Sequence, residues 1–214
     1  MNSFPRRAML RTTVLTAALV GAGSLLSTAP AMAAPAVGQA APAFVAVDSK
    51  GKQHKLEDFK GKIVVLEWTN HECPYVKKHY GASNMQKLQQ QAKDAGIVWL
   101  SVISSAPGEQ GHVAGPRADE LSASRQAAPA AVLLDPQGTI GKAYDARTTP
   151  HMYVIDAKGI LRYAGGIDSI ASTKVADLEK ADPVFKTAME SVVKGVEVKQ
   201  AVTRPYGCAV KYKS

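Results

Sequence analysis

The run Ile63-Val64-Val65-Leu66-Glu67-Trp68, almost wholly aliphatic or aromatic, constrains this chain more than any other stretch. Such a run reads as a central strand covered on both faces. Five residues past its end stands Cys73-Pro74, and a helical pattern then continues to about Ala95, with Gly96 well suited to the position just past a helix end. A second apolar run, Ile97 to Ile103, follows at once. Strand, helix, strand in this order favours a parallel βαβ unit and hence an α/β fold. A cysteine therefore stands at the junction where a buried strand gives way to a helix.

The rest of the chain fits the same class. Residues 44–47 read as a short first strand, 104–117 as a loop, 118–126 as a short helix, 130–134 as a strand and 140–144 as a brief helix. The runs at 151–155 and 160–164 flank Asp156-Ala157-Lys158-Gly159, a connection that reads as a hairpin, so the last two strands are antiparallel. A terminal helix spans 184–193, with Val184, Phe185, Ala188, Met189 and Val192 on one face. Residues 196–214 form an extended tail.

Residues 1–33 read as a secretory signal, with Arg6, Arg7 and Arg11, an apolar stretch from about Val14 to Leu26, and Ala31-Met32-Ala33 as the cleavage site. Arg6-Arg7 resembles a twin-arginine export signal, and the general secretory route fits as well. Either route predicts an exported chain, periplasmic in a bacterium or secreted, where disulfides persist. The apolar stretch is too short and too rich in small residues for a membrane anchor, so no stable insertion is expected after cleavage. The full chain has 214 residues and a net charge of +8; removing 33 residues with three arginines and no acid leaves 181 at +5. That charge is scattered and aromatics are sparse, which argues against nucleic acid as a partner. The oligomeric state is not legible.

Two cysteines remain, Cys73 and Cys208. They are too few for a disulfide scaffold and too widely spaced for a zinc ribbon. Pro74 suits the first helical position, which leaves Cys73 at the cap. Unpaired amides and the helix dipole there favour a thiolate. Lys77 adds positive charge one turn on, and His71 stands two residues before the cysteine as a candidate proton shuttle. His71, Cys73 and His79 fall close together in sequence, but solvated or hydrogen-bonded histidines are the simpler reading, and no metal or cofactor is expected. No Gly-x-Ser-x-Gly or phosphate-cradling loop is present.

The segments IVVLEWTNHECPYVKKH, VWLSVISS, VLLDPQGTIGKAYDARTTPHMYVIDAKGIL and TRPYGCAVKY together resemble the thioredoxin fold, in its redoxin and peroxiredoxin-like (AhpC/TSA-like) branch. The resemblance implies a central mixed sheet with helices on both faces, a nucleophilic Cys73, and a cis Pro150 in a Thr149-Pro150 loop facing it. It divides the chain into the signal at 1–33, a thioredoxin-like domain at 34–195 and the tail at 196–214.

The departures are informative. Where thioredoxins carry Cys-x-x-Cys, this chain reads Cys73-Pro74-Tyr75-Val76, so no local disulfide forms. The Thr or Ser and the Pro that precede a peroxidatic cysteine are replaced by Asn70 and Leu66, and neither Arg147 nor Arg162 can be placed beside the thiolate from sequence. Cys208, after the turn Pro205-Tyr206-Gly207, has three open roles: resolving an intermediate at Cys73, locking Cys73 in a static bond, or sharing a metal. The expected function is a thiol–disulfide oxidoreductase working on a protein thiol or disulfide, a small thiol or a peroxide. A weak thiol peroxidase and a non-catalytic binding or metal-handling module are the alternatives.

Overall fold

The computed structural model describes Met1 and residues 35–213, so the expected signal lies outside the described residues. In chain order the elements are β1 (Val45–Asp48), β2 (Gln53–Lys55), β3 (Val64–Trp68), α1 (Pro74–Gly81), α2 (Asn84–Asp94), β4 (Val98–Ile103) and α3 (Gly115–Ser124). Then come β5 (Ala131–Leu134), α4 (Thr139–Ala143), β6 (Thr148–Thr149), β7 (His151–Ile155), β8 (Leu161–Gly165), α5 (Val184–Val193) and β9 (Cys208–Ala209).

Among the described residues a seven-stranded sheet runs in the order β2-β1-β5-β4-β3-β7-β8. The middle strands β5, β4 and β3 are parallel, and the βαβ unit read from the apolar runs is the β3–β4 pair. The other pairs are antiparallel, including the β7–β8 hairpin. Side-chain alternation on β3 sends Val65 to one face and Val64, Leu66 and Trp68 to the other. The first face packs α1, α2 and α5 through Val76, Met85, Leu88, Phe185 and Met189. The second packs α4 through Ile140 and Ala143 beside Phe44, Leu100 and Tyr153. This is the mixed sheet covered on both faces of a thioredoxin-like α/β fold.

Three features depart from the sequence reading. The helix expected from Pro74 to Ala95 is two helices, because Ser83 turns left-handed at φ 57°. Gly81 weakens the helix just before that point, and the Tyr80 carbonyl there accepts the Ser83 N–H at 3.1 Å and the Gln86 side chain at 2.9 Å. Second, Gln53–Lys55 pairs with β1, a strand too short and polar to show in the hydropathy. Third, the tail folds back: β9 pairs antiparallel with β6, setting Thr148 opposite Ala209 and Thr149 opposite Cys208.

Candidate active site

The loop between β3 and α1 is pinned before it reaches the cysteine. Asn70 Oδ1 accepts the Glu72 N–H at 2.9 Å, and the Asn70 carbonyl accepts the Cys73 N–H at 3.1 Å. Side-chain turns of this kind are a usual role of Asn. From the facing loop, the Gly111 N–H donates to Glu72 Oε2 at 2.7 Å. Cys73 is then extended (φ −67°, ψ 123°) as the cap residue, and Pro74 opens the helix.

The Cys73 side chain is wholly buried, and its thiol donates to the Thr149 carbonyl at 3.1 Å. Thr149 is joined to Pro150 by a cis bond. Because Thr149 faces Cys208 across the β6–β9 ladder, the two cysteines, 135 positions apart in sequence, become neighbours. Both are free thiols. Gly207 permits this approach: its φ is 140°, and a Cβ there would stand 2.0 Å from the Thr149 carbonyl oxygen.

The neighbours titrate apart. Burial alone would push the Cys73 thiol up, but hydrogen bonding, from the Cys208 thiol first and then the Val76 N–H, holds it below the ordinary thiol range. Cys208 is pushed up to about 11, by burial first and then by its hydrogen bond to Cys73 and the charge there. Of the two thiols Cys73 is therefore the first to give up its proton and Cys208 the second.

Of the residues singled out from sequence, Cys73, Cys208, Thr149 and Pro150 converge on one spot. The side chains of His71 and Lys77 make no hydrogen bond to that spot. His71 is half-buried with its imidazole lowered by burial, Lys77 is exposed, and neither hydrogen-bonds to a sulfur. Arg147 and Arg162 are spent on Asp145 and Asp156 in partly exposed ion pairs. Asn70, in the place of the peroxidatic Thr or Ser, is consumed in holding its own loop.

Two clusters were not legible beforehand. Beneath α1, the buried Glu67 carboxylate accepts from Tyr80 Oη at 2.9 Å, Trp99 Nε1 at 2.9 Å and Ser101 Oγ at 3.0 Å. Beside α1, the Tyr206 phenol enters a polar socket of Lys78, His79 and Asp168. Lys78 Nζ approaches Tyr206 Oη at 3.3 Å and Asp168 Oδ2 at 3.5 Å, His79 Nε2 lies 3.2 Å from Tyr206 Oη, and Tyr206 donates to Asp168 Oδ1. Asn84 Nδ2 contacts His79 Nδ1 at 2.9 Å. The only advance sign was the turn-forming Pro205-Tyr206-Gly207; nothing marked Asp168 as its partner.

Known proteins share this architecture. The chain is 28% identical over 163 residues to the thiol-disulfide oxidoreductase ResA of Geobacillus kaustophilus, covering 72% of this chain and 84% of that one. A hypothetical protein from Sinorhizobium meliloti 1021 has a similar structure, with a TM-score of 0.70 at 21% identity over 85% of this chain and 97% of that one. An uncharacterized conserved protein from Geobacillus kaustophilus matches with a TM-score of 0.69 at 21% identity, over 83% of this chain and 93% of that one. Residues 37–164, more than half of the sequence, match the AhpC/TSA family. With the sheet order, the helix-cap cysteine and that match in agreement, the chain belongs to the AhpC/TSA family.

Proposed function

We propose that this protein is an exported thiol–disulfide oxidoreductase in which Cys73 attacks and Cys208 resolves. The observation that carries the reading is the β6–β9 ladder, which sets Cys208 opposite Thr149 while the Thr149 carbonyl receives the Cys73 thiol. The thiol-disulfide oxidoreductase relatives support it. Residues 1–33 support export, and among the described residues no helix is long and apolar enough to cross a membrane.

The Cys73 thiolate attacks one sulfur of a substrate disulfide, and that bond breaks, releasing the other half as a thiolate that takes up a proton. Cys73 is now in a mixed disulfide and carries no charge. Of the influences that raise Cys208, the hydrogen bond to Cys73 and its charge are gone and burial remains, so Cys208 deprotonates more readily at the moment it is needed. Its thiolate attacks the Cys73 sulfur, closes the Cys73–Cys208 bond and expels the second substrate thiolate. The substrate gains two electrons and the protein loses two. An external dithiol resets the pair, and the same steps reversed would oxidise a substrate. Lys77, on the first turn of α1, biases the local charge, and His71, two residues before Cys73, exchanges protons with solvent.

The test is the reaction of reduced protein with glutathione disulfide, read by mass after an acid quench. Wild-type protein should end as an internal disulfide, while Cys208→Ser should stop with one glutathione on Cys73. A Cys208→Ser protein that takes up no glutathione would refute the assignment of Cys73 as the attacking thiol.

A further inference from the structure

Beside the β6–β9 ladder and main-chain bonds such as Val210 N–H to the Arg147 carbonyl and Ala106 N–H to the Lys211 carbonyl, three side chains attach the tail around Cys208, and they differ in what they hold. Upstream, Thr203 Oγ1 binds the Tyr163 hydroxyl at 2.6 Å and the Gly166 N–H at 3.0 Å, which ties the tail to β8 and the turn after it. Downstream, the Tyr212 hydroxyl donates to the Ala146 carbonyl at 2.6 Å and its ring covers Gly138 and Gly141 at α4. Tyr206 binds α1 itself, the helix capped by Cys73, through Lys78 and His79. Its ring also meets Tyr75 of that helix edge-on, with centroids 5.7 Å apart.

We infer that Tyr206, held by Lys78, His79 and Asp168, is the positioning residue that registers Cys208 against Cys73 and so sets the oxidation equilibrium of the pair. The inference rests on the oxidoreductase reading.

The hydrogen bonds in the socket run in one consistent direction. Asn84 donates to His79 Nδ1, so the imidazole proton stands on Nε2 and points at the phenol oxygen. Lys78 adds a second donor to that oxygen, and the phenol passes its own proton toward Asp168. Buried Lys78 needs the Asp168 carboxylate as its counter-ion, because an unpaired ammonium at that depth is costly. The carboxylate comes from the segment after β8 and the ammonium from α1, so the phenol seats only when both elements are in place. Two residues later the chain delivers Cys208.

A thiol held in register has a high effective concentration toward its partner, and a thiol on a loose tail does not. In glutathione buffers the balance is one glutathione disulfide plus the two protein thiols giving the internal disulfide plus two glutathione thiols. Tyr206→Phe keeps the ring and removes the hydroxyl. Losing a hydrogen bond to a charged group of this kind is expected to lower the equilibrium constant about tenfold, or about 30 mV for a two-electron couple. Asp168→Asn should act in the same direction, and the double variant should fall short of the product of the two single effects, since both break one contact.

The experiment titrates wild type and the three variants in glutathione redox buffers, quantifying the internal disulfide by mass after alkylation. Thermal melts of the reduced proteins show that each variant is folded, and Asp168→Asn carries the test if Tyr206→Phe does not fold. Variants that oxidise at the wild-type midpoint would overturn the positioning role and leave the oxidoreductase reading standing. A wild-type protein that forms no internal disulfide at any ratio would overturn that reading, and the inference with it.

Discussion

Replacing Gly207 by alanine tests the close approach of the tail more sharply than any change at the sulfurs. The added Cβ would lie 2.0 Å from the Thr149 oxygen, 2.7 Å from its carbonyl carbon and 3.3 Å from the Pro150 nitrogen. These are backbone atoms, so no rotamer change relieves the clash. Ordinary contact begins at 3.4 Å, so β9 must retreat from β6 by about 1.4 Å. Overpacking of this kind costs about 1–3 kcal/mol, and holding a non-glycine residue at φ 140° adds a comparable amount. The total is capped by the docking energy of the tail, since residues beyond 206 can detach while the sheet stays folded. Disulfide geometry tolerates little of that retreat, because Cα atoms must lie within about 4.4–6.8 Å. With about 2 kcal/mol as the lower figure, Gly207→Ala should make the Cys73–Cys208 bond about 30-fold easier to reduce. The melting temperature of the reduced protein should fall by a few degrees, at about 2–4 °C per kcal/mol for a chain of this size. Dithiothreitol competition and a thermal melt measure the two quantities. A variant that melts within about 1 °C of wild type and keeps its bond at the same dithiothreitol ratio would refute the reasoning.

Other outcomes follow from the same geometry. In Cys208→Ala the hydrogen bonds that Cys208 gives Cys73 through its thiol are lost, so Cys73 should titrate at a higher pH than in wild type; thiolate ultraviolet absorbance across a pH series reads the shift, and an unmoved Cys73 would contradict it. In the reduced wild type the same titration should show two steps, one below the ordinary thiol range and one near 11. Glu67→Ala leaves the Trp99 indole, the Ser101 hydroxyl and the Tyr80 hydroxyl without their acceptor. At about 1–3 kcal/mol for each buried unpaired group the loss should be at least about 3 kcal/mol, measured by urea unfolding, and a loss under about 1 kcal/mol would show that water or a shift of α1 replaces the carboxylate.

Legibility in the sequence followed the range of the interactions concerned. The strands β3 and β4, the hairpin β7–β8 and the helix α5 rest on local hydropathy, and each was readable within a residue or two. The break at Ser83 was not, because a left-handed serine carries no compositional mark and the stretch 84–94 is itself strongly helical in pattern. At the site, Cys73 and Thr149-Pro150 stood out through their neighbours in sequence. Cys208 was noticed through its turn, but its place beside Cys73 comes from the pairing of β6 with β9, which no local pattern shows. The Tyr206 socket draws on α1, the segment after β8 and the tail, and no pattern along the chain links Lys78 to Asp168. Burial along α1 was equally hidden: Lys77 is exposed while the next residue, Lys78, is buried.

The complete burial of the Cys73 sulfur has a kinetic consequence. A reagent in solution cannot meet this atom in the closed molecule, so its reaction there waits for a local opening, and peeling of β9 from β6 is the opening that would uncover the cysteine pair. That ladder has two residue pairs, followed by the Val210, Lys211 and Tyr212 bonds, so peeling is still a smaller event than unfolding of the domain and draws on the protein's local opening energies. When reclosing is faster than chemistry, the observed rate is the chemical rate scaled by the open fraction; when a reagent is concentrated enough to win, the rate reaches a ceiling equal to the opening rate, whatever the reagent. The reactivity of Cys73 is in that sense a clock set by the tail, and its plateau would report how often the segment that carries Cys208 lets go.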